Sequence, residues 1–200
     1  MKHLRTIWIC DLKGDLIDAL EHHVGRNGVD YDLMNSVSLY HGSILDKKVD
    51  AIVSPANSFG FMDGGIDALY TKFFGPELQI ELQKLINDHT WSGELLVGDA
   101  FVVPTDNPFI PFCISAPTMR IPQPITDPIG VYLATRAAIK IAEGYRFETI
   151  SMPGMGTGYG NVQPMIAARA MIEGIRSVIE PVPFPKTIHE AVYRHRELKG

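Results

Sequence analysis

The chain has 200 residues, 46% hydrophobic and 20% charged, with a formal net charge of −5. That length suits a single domain with a real hydrophobic core. The acidic balance argues against non-specific nucleic-acid binding, which needs a basic face, but not against a small anion held by backbone N–H groups.

No apolar run reaches the roughly 18 residues of a membrane span. The start MKHLRTIWICDLKGD lacks a small-residue cleavage site, so no signal peptide and no membrane partner are expected, and the cytoplasm is the expected compartment. Cys10 and Cys113 sit in apolar runs, as buried free thiols would in a reducing compartment.

In chain order, Thr6–Cys10 is a β-rich run. Asp15–Val24 has Leu16, Ile17, Leu20 and Val24 at helical spacing. Tyr31–Leu33 and Val37–Tyr40 are candidate strands. Val49–Ser54 (VDAIVS) is a compact apolar strand running into Pro55. Ile66–Phe74 and Pro76–His89 are helices, the second with proline in its first turn. Ala100–Val103 and Phe112–Ser115 are strands, and Ile129–Ala142 is a helix that Gly144 should end. Phe147–Met152 is a strand and Pro164–Ile179 a helix. The tail PVPFPKTIHEAVYRHRELKG adds a final turn or helix. Strands interleaved with helices predict an α/β sheet covered on both faces. Such sheets bind ligands at the carboxyl ends of strands, where two loops, Pro55–Gly65 and Pro153–Gln163, are expected to lie.

The second loop, in 150-ISMPGMGTGYGNVQP-164, has glycines at 154, 156, 158 and 160. No Gly-Lys-Ser/Thr follows, so it is not a P-loop, and its spacing and late position are not those of a dinucleotide fingerprint. A strand, a glycine loop and a helix N-terminus together aim backbone N–H groups at a phosphate. Thr157 can add a hydroxyl and Tyr159 a ring for a sugar or base. Alternatively the loop is a tight connection with Tyr159 packed in it.

The first loop is 54-SPANSFGFMDGGIDALY-70. The Asn57 amide can bond sugar hydroxyls, or it can form an Asx-turn after proline. Asp67, in the first turn of a helix, can orient or deprotonate water, or it can complement the helix dipole. Asp63 reads as a solvated loop residue, and Phe59 and Phe61 as wall or core. The seven histidines have no metal-site spacing, and Ser54, Ser58 and Ser151 lack a nucleophile-elbow context, so no metal and no cofactor are expected.

DAIVSPANSFGFMDGGID resembles the first signature of macro domains, which typically reads DAIVNAAN followed by a glycine cluster and Val-Asp. MPGMGTGYGNVQP resembles their phosphate-binding loop. The similarity spans roughly residues 37–180. It implies a three-layer α/β/α sandwich with a mixed, mostly parallel central sheet. The whole of 1–200 would form one such domain, with an N-terminal strand–helix extension over about 1–35 and a C-terminal tail over about 181–200.

The resemblance also implies a partner: ADP-ribose, a derivative of it, or an ADP-ribosylated macromolecule. Some members of the family hydrolyse ADP-ribosyl linkages or ADP-ribose 1″-phosphate, and others only bind. Carried over position by position, Asn57 and Asp67 stand at the catalytic positions. Ser43, Ile44, Ala56, Gly64, Gly65 and Ile66 join Asn57 in the ligand wall, and Pro153, Gly154, Met155, Gly156, Thr157, Gly158, Tyr159 and Gly160 form the diphosphate and distal-ribose loop. In 41-HGSILD-46, Ser43 replaces the aspartate that many members use to read the adenine amino group, and serine offers a weaker, uncharged contact. The alternatives are a non-catalytic ADP-ribose or nucleotide-binding module, and an assembly domain whose pocket takes another ligand.

Overall fold

The computed structural model describes residues 3–26, 36–180 and 182–199. The expected strand Tyr31–Leu33 lies outside them. In chain order the elements are β1 (Thr6–Asp11), α1 (Asp15–Arg26), β2 (Val37–His41), β3 (Ala51–Ser54), α2 (Gly65–Phe74), α3 (Glu77–His89), β4 (Phe101–Pro104), β5 (Phe112–Ser115), α4 (Ile129–Gly144), β6 (Thr149–Met152), α5 (Pro164–Ile179) and α6 (Ile188–Glu197). A 3₁₀ turn at Ile44–Asp46 follows β2.

The six strands form one sheet in the order β2-β1-β6-β3-β5-β4. All pairs are parallel except β4 with β5. β1 is an inner strand, paired with β2 on one side and β6 on the other. β3 is buried along its whole length, as expected of a parallel strand covered on both faces. Its alternation divides the core. Ala51 and Val53 join Ile7, Ile9, Ile150 and Met152 in the cluster that α1, α4 and α5 cover. Ile52 joins Cys10 and Cys113 in the cluster under α2 and α3. The result is a three-layer α/β/α sandwich.

Two local devices set the spacing of these layers. Gly174 of α5 faces α4 so closely that a Cβ there would lie 2.8 Å from Thr135 Cβ and 2.9 Å from the Tyr132 carbonyl oxygen. Asp50 ties β3 to β6: its Oδ2 accepts from the Glu148 and Thr149 amides, each at 2.8 Å, while its own amide donates to the Thr149 carbonyl at 3.0 Å. The two strands that carry the signature loops therefore end side by side.

Element boundaries differ from the expectations by one or two residues at several ends. At α4 the difference has a clear cause. The helix runs through Gly144, and the left-handed residue is Arg146, with φ 61°. Arg146 takes that conformation because the next residue, Phe147, must turn inward, where it stacks on Phe112 at 5.2 Å. An apolar residue after a left-handed cap commonly packs this way. The tail forms α6, whose N-cap Thr187 accepts from the Glu190 amide. α6 is held to the body by Lys199–Asp127 at 2.8 Å and by Arg169 donating to the Glu197 carbonyl. Among the described residues no helix is long and apolar enough to cross a membrane.

Candidate functional site

α5 follows β6 onto one face of the sheet, while α2 follows the adjacent strand β3 onto the other. Chain segments that diverge in this way open a crevice at the strands' carboxyl ends. Here it is a cleft of about 870 Å³, lined from the loops after β1, β2, β3, β5 and β6. That volume is within the range of ligand pockets.

The cleft brings together the expected residues Ser43, Ile44, Ala56, Asn57, Gly64, Gly65, Ile66, Asp67, Pro153, Gly154, Gly156, Thr157, Gly158, Tyr159 and Gly160. Met155 is the exception: it is fully buried in the α1/α4/α5 core and does not line the cleft. A long apolar side chain in a tight loop is most stable inside, and its burial anchors the loop from below.

The four alternating glycines divide by role. Gly156 has φ +76°, and a Cβ there would lie 2.8 Å from Val131. At Gly154 a Cβ would meet Thr157 Oγ1 at 2.5 Å, and at Gly160 it would meet the Gly156 carbonyl oxygen at 2.5 Å. These three are glycines because the loop folds against itself and the core. Gly158 is exposed and a Cβ there would meet nothing within 4 Å. The loop is closed by Val162 N–H donating to the Gly156 carbonyl and Asn161 N–H to the Gly158 carbonyl. Among the described residues the amides of Gly156, Gly158, Tyr159 and Gly160 have no protein acceptor. Thr157 turns inward and donates to the Gly154 carbonyl at 3.0 Å, so its hydroxyl hydrogen is not available to a phosphate.

Across the cleft, Asn57 is bonded within its own loop. Its Oδ1 accepts from the Phe59 and Phe61 amides at 3.1 and 3.3 Å, and its Nδ2 donates to the Phe61 carbonyl at 2.8 Å. One amide hydrogen of Nδ2 remains for a ligand. The segment after β5 braces this loop: Thr118 N–H donates to the Ala56 carbonyl and Ser58 N–H to the Arg120 carbonyl. Gly64 and Gly65 form a side-chain-free shelf on which the Tyr159 ring rests, 2.8 Å from where a Gly64 Cβ would be. The two signature loops therefore touch across the cleft.

Asp67 lies beneath this shelf, 7% exposed, with Oδ1 accepting from Ser54 Oγ at 2.6 Å. Burial raises its pKa to about 6, the Ser54 bond opposes that rise and the nearby Asp63 adds to it. A carboxyl group that titrates close to neutrality in a cleft is a candidate acid or base. Asp63 is exposed on the rim, and Phe61 is wall. Cys10, at the cleft floor, is a buried free thiol with its pKa pushed up to about 12 by burial, and Cys113 is shifted upward in the same way.

At the other end, Ser43 Oγ accepts from the Leu45 amide, capping the 3₁₀ turn. Asp46 bonds Tyr40 and does not line the cleft. An acid that does line the cleft is Asp11, at the end of β1 next to β2, whose oxygens accept from the Lys13 and Leu16 amides and cap α1. Asp11, Lys13, Thr118 and Met119 line the cleft and were not singled out from the sequence. The pattern Asp-x-x-Gly-Asp between a strand and a helix was the available signal for the first two. Thr118 and Met119 carried none. Among the described residues no three His, Cys, Asp or Glu side chains are grouped to hold a metal ion.

The macro domain family model matches residues 53–171 of this chain. An uncharacterized protein of Aquifex aeolicus is 36% identical over 152 residues, covering 76% of this chain and 87% of its own. The ADP-ribose glycohydrolase MACROD1 of Mus musculus is 26% identical over 155 residues, 76% of this chain and 45% of that protein. A solved macrodomain mutant of Oceanobacillus iheyensis with ADPR shares the fold at TM-score 0.61 and 20% identity, covering 78% of this chain and 89% of that one.

Proposed function

This chain belongs to the macro domain family, and from that premise we propose that its cleft binds ADP-ribose or a derivative and hydrolyses an ADP-ribosyl linkage or ADP-ribose 1″-phosphate. The observation that carries the reading is Asp67: a buried carboxyl group, raised to about 6, lining the same cleft as a loop with unpaired amides.

The diphosphate rests on the amides of Gly156, Gly158, Tyr159 and Gly160, at the start of α5, where the helix dipole favours negative charge. The distal ribose lies beside the contact that the Tyr159 ring makes with the Gly64–Gly65 shelf, and the remaining Asn57 N–H donates to one of its hydroxyls. Ionised Asp67 takes a proton from a water as the water oxygen bonds to C1″. The bond from C1″ to the leaving group breaks, and the leaving group departs with the electron pair.

The test is a panel of ADP-ribosylated peptides and ADP-ribose 1″-phosphate, turned over by the wild type and by Asp67→Asn. The expected outcome is a loss of kcat of at least about 100-fold, with the Kd for ADP-ribose within a few-fold. Equal turnover by the variant would remove Asp67 from the mechanism. The absence of heat in calorimetry at millimolar ADP-ribose would remove the ligand.

A second reading, a binding module without turnover, draws on Asn57, whose carboxamide is mostly engaged in shaping its own loop. It expects intact binding and no product from any member of the panel.

A further inference from the structure

β3 ends directly beneath the cleft, and its last residue, Ser54, is fully buried. Alternation along the strand turns Ser54 to the same face as Ile52, the face that α2 covers. There Ser54 Oγ donates to Asp67 Oδ1 at 2.6 Å. The other groups that feel Asp67 are Asp63 on the loop, Tyr70 one turn along α2 and Cys113 on β5. None is a cation, and the Tyr70 hydroxyl donates elsewhere, to the Val53 carbonyl at 3.0 Å. Among the described residues Asp67 has no ion pair and no second hydrogen-bond donor. A carboxyl group so enclosed is driven toward its neutral form unless a donor stabilises the charge.

We propose that Ser54 is a positioning residue: its hydroxyl holds the Asp67 carboxylate charged and in one orientation, leaving Oδ2 for the cleft, and so sets the pH range in which the site acts. The catalytic part of this rests on the hydrolase reading above; the bond itself does not. In the sequence the Ser54 hydroxyl belongs to no nucleophile arrangement. Its role is to donate, not to attack.

The experiment compares Ser54→Ala, Ser54→Thr and Ser115→Ala. Ser115 is the register partner of Ser54 on β5, buried with an unpaired hydroxyl among the described residues, so its loss is a matched control. The first readout is the ¹³C carboxyl shift of Asp67 from about pH 4 to about pH 9, assigned by its disappearance in Asp67→Asn. The midpoint should rise by about one pH unit in Ser54→Ala, return toward wild type in Ser54→Thr and stay in place in Ser115→Ala. The second readout is the pH dependence of kcat/KM on the panel substrate turned over fastest. Its acid limb should move with the midpoint, making Ser54→Ala about tenfold slower below the limb and close to wild type at about pH 8.5.

A stationary midpoint in Ser54→Ala, or an equal shift in Ser115→Ala, overturns the proposal. So does an acid limb that stays in place while the midpoint moves. If the midpoint moves as expected but the wild type turns over no substrate, the hydrolase reading fails and the hold of Ser54 on the carboxylate stands.

Discussion

At the scale of single residues, Asp67 shows a conflict between stability and chemistry. Its pKa in the fold is raised from 3.8 to about 6, chiefly by burial. Between those values the folded state keeps a proton that the unfolded state has lost, so stability falls as pH rises through that interval and levels off above it. At neutral pH the ionised side chain therefore leaves the fold less stable, by on the order of 3 kcal/mol, than it is with the carboxyl group protonated at low pH, as far as this group is concerned. Asp67→Asn keeps an oxygen to accept from Ser54 and carries no charge. It should raise Tm over wild type at about pH 7.5 and show little difference at about pH 4.5, measured by calorimetry at both. An equal change at both values would mean that the charge is not the source. Higher stability together with reduced turnover in that variant would mark a site kept for function at a cost in stability. The types of these residues were legible in the sequence, but their orientations only in part. Asn57 and Thr157 are where expected, yet Asn57 points most of its hydrogen-bonding capacity into its own loop and Thr157 donates inward. The Asx-turn that Asn57 makes with the Phe59 amide was open to it from the sequence, whereas Thr157 is turned by the Gly154 carbonyl, an acceptor that the residue pattern does not reveal.

At the scale of elements, the glycine loop separates what a turn needs from what a ligand needs. Gly156 holds a left-handed conformation against Val131, whereas a side chain at Gly158 meets no protein atom. Gly156→Ala should therefore cost about 2 kcal/mol or more through strain and overpacking and lower Tm by roughly 5 °C. Gly158→Val should leave Tm within about 2 °C of wild type and weaken ADP-ribose at least about tenfold, because its side chain occupies the ligand's side of the loop. Calorimetric unfolding and ligand titration of both variants check this. A Gly158→Val protein that melts early, or that binds normally, would reverse the assignment. Both signature loops were legible because glycines and polar residues interrupt apolar strands there. The third wall, made by β1 and α1, was not. Asp11 and Lys13 reach the cleft only because β1 inserts between β2 and β6, a pairing between segments about 140 residues apart that local pattern cannot express.

At the scale of the whole molecule, the sheet order brings four aspartates (Asp11, Asp15, Asp63 and Asp67) and one lysine, Lys13, to the cleft lining, in a chain whose net charge is −5. That is an unusual setting for a diphosphate ligand. A site that holds phosphate with lysine and arginine gains from long-range attraction and loses affinity as salt screens it. Here the proposed contacts to phosphate are backbone amides and a helix terminus, which act at hydrogen-bond range and are little affected by added salt. The long-range field from the carboxylates opposes the ligand, and salt weakens that opposition. Raising ionic strength from about 30 mM to about 300 mM shortens the screening length by roughly threefold. It should leave the Kd for ADP-ribose unchanged or lower it by a few-fold, with any gain appearing in the association rate. Titration at several salt concentrations, with Lys13→Ala beside the wild type, tests this. A steep loss of affinity with salt in the wild type that disappears in Lys13→Ala would move the anion from the glycine loop to Lys13.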